Sequence, residues 1–357
     1  MQALSASLMQ QIAHQYIDRL SGRIESERLY QDRLVMFFYS RVRESMPAMF
    51  RMLTSRRSTT LLGYLNYDTR WGSGACRRFL RDNGIDLSEC LDNPADFLTA
   101  RHAFERKIRY WECRPMMDDA RAAVAPCYAH VLVGSLLADS TLFIKDKFFD
   151  YHELLGGERE QWLATFTHGD YAIFRLTPEK YHYNHTPVAG LVLDHYTVEG
   201  DYHSCNPGAA VVMATPYSKN RRVVTVIDTN VDGGTHIGKV AMIEVVALMI
   251  GDIVQCYSES QYDNPQPVVP GLFLKRGQPK SLFRPGSSTT VLLFEKQHVR
   301  FAPDLLVNQA TPSAHSRYSL AFGRPLIETD VRLRSPIAHR VADVHRPRSK
   351  RRAEHVE

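Results

Sequence analysis

Gly286-Ser287-Ser288-Thr289, followed by Thr290-Val291-Leu292-Leu293-Phe294, is a small polar turn running into a strand. The apolar, β-branched run has the composition of a buried strand. Arg284-Pro285 sets the turn off from the residues before it. A Gly-Ser-Ser-Thr turn of this kind is also a place where a strained peptide bond can be attacked by its own serine. The Ser288 hydroxyl can add to the Ser287 carbonyl and convert the amide to an ester. β-Elimination then breaks the chain, and the dehydroalanine left behind hydrolyses to a pyruvoyl group, an electrophile that no ordinary side chain supplies.

Upstream of this turn the chain keeps the same texture. Short runs rich in Val, Ile, Phe and Tyr, bounded by Gly, Pro, Asn and Asp, occupy 130–137, 171–176, 190–193, 222–228 and 240–247. No helical pattern alternates with them, which argues against a doubly wound parallel sheet. The first third reads differently. From Leu29 to Leu53, apolar residues recur at helical spacing with Arg33, Arg41, Arg43 and Arg51 between them, and Pro47 is placed to kink or split the helix. This helix either faces the core or lies on a lipid surface with its arginines at the headgroups. Asp92-Asn93-Pro94 predicts a second helix from Ala95 to about Tyr110. The expected fold class is α+β. A helical N-terminal region (1–110) precedes an antiparallel β-rich catalytic domain (111–330), and a basic tail (331–357) carries Arg346, Arg348, Lys350, Arg351 and Arg352. The tail reads as a solvated, disordered end, with attraction to an anionic surface as the other reading.

The bulk composition sets limits. With 44% hydrophobic and 23% charged residues, the chain is that of a folded protein rather than a disordered one. The six cysteines form no C-x-x-C pair, which excludes zinc-ribbon and thioredoxin readings and suggests a reducing compartment. No secretory signal and no apolar run long enough to span a bilayer is visible, so the expected location is cytoplasmic, peripheral at the inner membrane.

Two further segments bear on chemistry. Tyr181-His182-Tyr183-Asn184-His185-Thr186-Pro187 holds an H-x-x-H pair ahead of a proline, which places the histidines on a strand end or loop. On a strand, residues i and i+3 project to opposite faces. No third ligand stands at a typical spacing, although His203 and Cys205 are conceivable partners, and no metal is expected. The two histidines are either hydrogen-bonded structural residues or an acid and a base titrating near neutrality. The second segment, from Val268 to Pro279, alone reads only as hairpin structure.

The order of these pieces resembles the phosphatidylserine decarboxylase family, the pyruvoyl-dependent decarboxylases. The likeness begins at Ile144-Lys145-Asp146-Lys147-Phe148 and Leu154-Leu155-Gly156, and is clearest at Tyr181-His182 with His185 and Pro187. It continues through Ser204-Cys205-Asn206-Pro207, Asn220-Arg221-Arg222-Val223-Val224, Ile250-Gly251-Asp252-Ile253, and Lys275 with Gly277, to the serine turn. It covers roughly residues 110 to 296.

The resemblance implies self-cleavage between Ser287 and Ser288, with the pyruvoyl cofactor generated from Ser288 and no metal. It implies that His185 takes the Ser288 proton and that His182 stands near the substrate. Ser287 replaces the usual Gly, a variant similar to one in soluble aromatic amino-acid decarboxylases. The family's triad aspartate falls in a Ser-Pro-x-Asp-Gly-like turn, and the matching Ala125-Pro126-Cys127-Tyr128-Ala129 puts Tyr128 there. A neutral tyrosine cannot stabilise an imidazolium as a carboxylate does, and loss of the carboxylate from a related triad costs on the order of 10⁴ in rate. Asp118 and Asp119 are nearby carboxylates in sequence. The expected activity is conversion of phosphatidylserine to phosphatidylethanolamine. Two alternatives stand beside it: decarboxylation of a free amino acid, and an unprocessed, non-catalytic relative. The expected partners are a phospholipid or amino-acid substrate, a membrane surface and a second copy of the chain, and not nucleic acid.

Overall fold

A computed structural model describes residues 12–29, 32–68, 73–82, 84–136, 149–212, 216–248, 252–286 and 288–341. Ser287, the motif segment 144–148, the pair Ile250-Gly251 and the basic cluster 346–352 lie outside the described residues.

The strands are, in chain order, β1 (Gln15–Asp18), β2 (Ile24–Ser26), β3 (Ala122–Val124), β4 (Ala129–Ser135), β5 (Asp170–Leu176), β6 (Tyr183–His185), β7 (Gly190–Val198) and β8 (Arg222–Asp228). They continue with β9 (Lys239–Val246), β10 (Ile253–Gln255), β11 (Phe273–Leu274), β12 (Pro279–Phe283), β13 (Ser288–Phe294), β14 (Val299–Phe301), β15 (Glu328–Val331) and β16 (Pro336–Arg340). Ten of them form one sheet in the order β11-β7-β8-β9-β13-β5-β4-β15-β1-β2. Two three-stranded sheets, β10-β12-β6 and β14-β16-β3, complete the set.

The Ser-Thr-Thr-Val-Leu-Leu-Phe strand β13 lies inside the large sheet, antiparallel to β9 on one side and β5 on the other, in register over all seven residues. Every residue of it is buried. That explains its near-continuous apolar run: both faces are covered, so alternation with polar residues is lost. On one face, Leu292 and Phe294 join Phe174, Met242 and Val246, together with Ile253 and Phe283 of one small sheet and Val299 and Ile337 of the other. On the opposite face, Val291 and Leu293 pack with Leu154, Leu155, Trp162, Phe166 and Tyr318, which are carried by helices. The result is a layered α+β fold with helices over one face of the main sheet and small sheets over the other.

The strands follow the sequence pattern closely, β8 residue for residue and β7 five residues beyond its expected end. The helices depart from it. The segment expected to be helical from Leu29 to Leu53 begins at Asp32, passes through a π-helical turn at Phe38–Val42, and breaks at Met46 before Pro47–Leu53 resumes. Met46 takes φ −140 and ψ 62, outside the helical region that the following proline disfavours. The helix expected from Ala95 to Tyr110 is instead a 3₁₀ turn at Pro94–Asp96 and a short helix at Ala100–Phe104. The Asn93 and Thr99 side chains cap the two pieces separately, so each nucleates on its own. The N-terminal region also contains β1 and β2, which add to the main sheet, β1 running parallel to β15. Among the described residues, no helix is long and apolar enough to cross a membrane.

Candidate active site

Ser288 is the first residue of β13, opposite Leu176 on β5 and Val246 on β9. Its side chain is buried and, among the described residues, its Oγ has no hydrogen-bond partner. An unpaired buried hydroxyl costs about 1–3 kcal/mol, so the site keeps this oxygen in an unsatisfied state. Two residues earlier, Gly286 takes φ +146, in the region that favours glycine and lets the chain turn sharply into the strand.

The link between β12 and β13 carries Gly286, and candidate site residues stand at both of its flanks. Phe283, the last residue of β12, donates its N–H to the His182 carbonyl at 3.1 Å. His182 thus stands at one end of the turn and Ser288 at the other. The His182 ring is buried and stacked on Phe104 with centroids 3.5 Å apart, and among the described residues neither ring nitrogen makes a well-formed hydrogen bond beyond a weak contact with the Lys180 backbone. Burial, reinforced by the Arg106 guanidinium, pushes its pKa well below the ordinary value and leaves it neutral.

His185 is held differently. Its Nδ1 lies 2.9 Å from the Gly277 carbonyl and its Nε2 3.0 Å from the Tyr181 hydroxyl. A carbonyl only accepts, so Nδ1 carries the proton and Nε2 accepts from Tyr181. The Tyr181 hydroxyl also lies 2.7 Å from that of Tyr262, which donates to the Ile108 carbonyl at 2.9 Å. The Tyr110 ring stands edge-on to the imidazole at 4.6 Å. Burial pushes the His185 pKa down to about 3. Among the described residues, no hydrogen bond joins Ser288 to either histidine.

Tyr128, at the position where the family carries its triad aspartate, does not touch His185 through a hydrogen bond. Its ring lies under the Lys180 ammonium, 3.8 Å from the centroid, and its hydroxyl is within hydrogen-bonding reach of Asp330. Burial raises its pKa. Lys180 and Asp330 form a buried ion pair. Asp118 is exposed, and Asp119 bonds to His339 at 2.9 Å, so neither carboxylate serves His185. His203 lies 3.4 Å from Asp201 and stacks on Phe50, and Cys205 is buried elsewhere in the core. The histidine pair therefore gathers no ligand set with them. Among the described residues, one group has metal-ligand spacing, His14 with Glu27 and Glu328. Arg175 already occupies both of its carboxylates, at 2.5–3.0 Å.

A cavity of about 400 Å³ opens at the β13 end of the sheet. Gly286, Leu176 and Leu248 form its sheet wall, and Leu34, Val35, Phe38, Leu53 and Leu62 from the N-terminal helices form the facing wall. Glu27, Arg175, Ser204 and Asn206 supply polar edges. Arg175 sits beside the site, opposite Thr289 on the neighbouring strand. Neither Arg175 nor Glu27 stands out in sequence, since the bond between them closes 148 residues of chain. The only local signal was an arginine inside an otherwise apolar strand.

A family model described as phosphatidylserine decarboxylase matches residues 101–324. The phosphatidylserine decarboxylase proenzyme of Chlamydia trachomatis serovar L2 is 29% identical over 304 residues, covering 82% of this chain and 90% of that protein. The proenzyme of the same name from Chlamydia muridarum is 32% identical over 66% of this chain and 72% of its own length. That of Photobacterium profundum is 31% identical over 66% and 82% respectively. With a match across most of the sheet, the serine turn and both histidines, the chain belongs to the phosphatidylserine decarboxylase family of carboxy-lyases.

Proposed function

We propose that the chain cleaves itself between Ser287 and Ser288 and then decarboxylates phosphatidylserine to phosphatidylethanolamine. The observation that carries this reading is the buried, partnerless Ser288 hydroxyl at the mouth of β13, beside an apolar cavity. The residues fit a pyruvoyl group made from Ser288: the oxygen that must attack has no competing bond, and Gly286 permits the sharp turn. When formed, that group supplies an electron sink of the kind pyridoxal phosphate supplies.

The chain's own residues do the rest. His185 takes the Ser288 proton once its Nε2 exchanges the Tyr181 hydroxyl for Ser288, with Gly277 holding Nδ1–H throughout. Elimination opens the ester, the Ser287 carboxylate leaves, and water releases ammonia from the dehydroalanine. His182, with both nitrogens free of well-formed hydrogen bonds, is placed to return a proton to the substrate carbon. The apolar cavity walls exclude water and take acyl chains. Relatives named for a phospholipid substrate also support the lipid reading over a free amino acid.

The helices that wall the cavity, with the break at Met46 between them, expose Phe37, Met46 and Met52, interleaved with exposed Arg33, Arg41 and Arg51. An apolar face with a basic rim suits peripheral contact with an anionic bilayer. Each arginine near such a surface contributes about 1 kcal/mol, so replacing all three by glutamine weakens anionic-liposome binding by about 10²-fold.

Two measurements test the main reading. The purified protein runs as two chains, 1–287 and 288–357, with a hydrazine-reactive carbonyl on the smaller one. It releases CO₂ from phosphatidylserine in vesicles and not from free serine or tryptophan. A full-length intact mass without a trapped carbonyl overturns the proposal, and CO₂ from the free amino acids alone reassigns the substrate.

A further inference from the structure

A second charged group lies deep in the sheet, on the face of β13 that carries Ser288, and the catalytic roles above do not use it. Glu244 on β9 and Lys280 on β12 are both wholly buried, and their ion pair spans 2.7 Å. Glu244 pairs in register with Thr290, so Ser288 is its diagonal neighbour across the same face. Removing two charges from water costs several kcal/mol each, and apolar residues of similar size commonly do as well or better for stability. A pair kept in this position calls for another reason.

Its bonds supply one. The main sheet carries Ser288, while both histidines belong to the segment that forms β6 of the small sheet. Glu244, from the main sheet, reaches all three strands of the small one. It accepts from Lys280 and Ser281 on β12, from Gln255 Nε2 on β10 at 3.1 Å, and from Asn184 Nδ2 on β6 at 3.3 Å. Lys280 also donates to Gln255 Oε1 at 2.9 Å. Asn184, between the two histidines, returns the link: its Oδ1 accepts from the Thr290 hydroxyl at 2.9 Å, two residues along β13 from Ser288. The loop of bonds therefore runs from the serine-bearing strand to the histidine-bearing strand and back.

We propose that Glu244 and Lys280 are positioning residues that clamp the histidine-bearing sheet onto the serine-bearing one and so set the approach of His182 and His185 to Ser288. The inference rests on the self-cleavage reading. It makes neither residue a proton carrier. A misplacement of about 1 Å at a reacting pair costs on the order of 10²-fold in rate, so the clamp acts on cleavage well before it acts on folding.

The test follows precursor processing in freshly translated full-length chain, together with thermal melting of each variant. Glu244→Leu combined with Lys280→Met replaces the pair by apolar residues of similar size. It is expected to melt within a few degrees of wild type and to cleave about 10²-fold more slowly. Thr290→Val leaves the ion pair intact, cuts the bond from Asn184 to β13 together with a contact to the buried Cys127 thiol, and is expected to slow cleavage about tenfold with little change in melting. It decides the matter if the double variant does not fold. Glu244→Asp with Lys280 retained, which shortens but keeps the carboxylate, recovers part of the rate if placement is what matters. Wild-type cleavage rates in a folded double variant, or in Thr290→Val, overturn the clamp. Absence of cleavage in wild type itself overturns instead the reading on which it rests.

Discussion

The two faces of β13 both meet buried charge, and they use it differently. On the face of Ser288 and Thr290, Glu244 comes from the neighbouring strand β9 and Lys280 from β12 of the small sheet, and their bonds join one sheet to another. On the face of Thr289, Arg175 is held by Glu27 and Glu328, residues from the two ends of the described chain, with His14 2.8 Å from Glu328 and His130 3.0 Å from Arg175. The first cluster is closed within the sheet interior. The second reaches the cavity through Glu27 and Arg175 and ties the N-terminal segment down beside it. On the proposed reading, the first face fixes the geometry of the reacting groups, and the second builds the cavity wall against which a substrate would rest.

The largest effect that separates the faces is at the serine itself. Ser288→Ala removes the attacking oxygen and is expected to leave a single full-length band on a denaturing gel, with melting unchanged or slightly raised, because the hydroxyl has no partner to lose. Next comes Arg175→Met, which strands two buried carboxylates. Breaking a buried pair from one side costs about 3–5 kcal/mol, so a large drop in melting temperature is expected. Loss of cleavage without loss of stability would mean that Arg175 acts in the chemistry rather than in the wall.

The same cluster carries a pH signature. Burial alone would raise the Glu328 carboxyl, but the Arg175 guanidinium and the His14 bond outweigh it and hold its pKa at about 2, below its ordinary 4.5. Glu27 is likewise held well below its ordinary value, Arg175 again outweighing burial. A depressed carboxyl contributes stability that is complete above the unfolded pKa and is lost as pH falls through the folded one. Melting temperature should therefore fall steeply between about pH 4.5 and 2, and Arg175→Met should flatten that slope. An unchanged slope in the variant would place the acid sensitivity elsewhere.

Short runs of β-branched and aromatic residues between turn residues located β4, β5, β7, β8, β9 and β13, because a buried strand has few other ways to use such residues. The helices were harder to read. Leu34, Phe38, Val42 and Met49 have helical spacing, but the register is broken by a π-helical turn and at Met46, where the following Pro47 disfavours helix. Strands β1 and β2 are short and polar, and they exist because β15 offers an edge, which no local pattern announces. At the site, Ser288, His182 and His185 were proposed from motif order. The environment of Tyr128 was not, because Lys180 and Asp330 meet it only after 52 and 202 residues of intervening fold. Glu244, Lys280 and Arg175 were invisible for the same reason.

Two tyrosines sharpen the comparison at smaller scale. Tyr181 donates to the nitrogen that the proposed proton transfer from Ser288 to His185 would use. Tyr181→Phe leaves that nitrogen free and is expected to lower stability by about 1–3 kcal/mol while speeding cleavage several-fold. Slower cleavage would mean that the hydroxyl orients the ring rather than blocking it.

Tyr128→Phe should have the smallest effect. The Tyr128 hydroxyl faces Asp330, and its ring faces Lys180, on the Arg175 side of the sheet. Removing the hydroxyl loses one bond to a carboxylate that Lys180 and His130 still face, at no more than 3.6 Å. Cleavage timed by gel should stay within about twofold of wild type, well under the roughly tenfold that 1.4 kcal/mol of lost transition-state contact would produce. A loss of tenfold or more would show that the hydroxyl swings to His185 during cleavage and stands in for the carboxylate after all. The Tyr128→Asp variant distinguishes the same two cases from the other side. A carboxylate there accelerates cleavage only if it can leave Lys180 for His185, and otherwise it adds a second negative charge beside Asp330 and lowers stability instead.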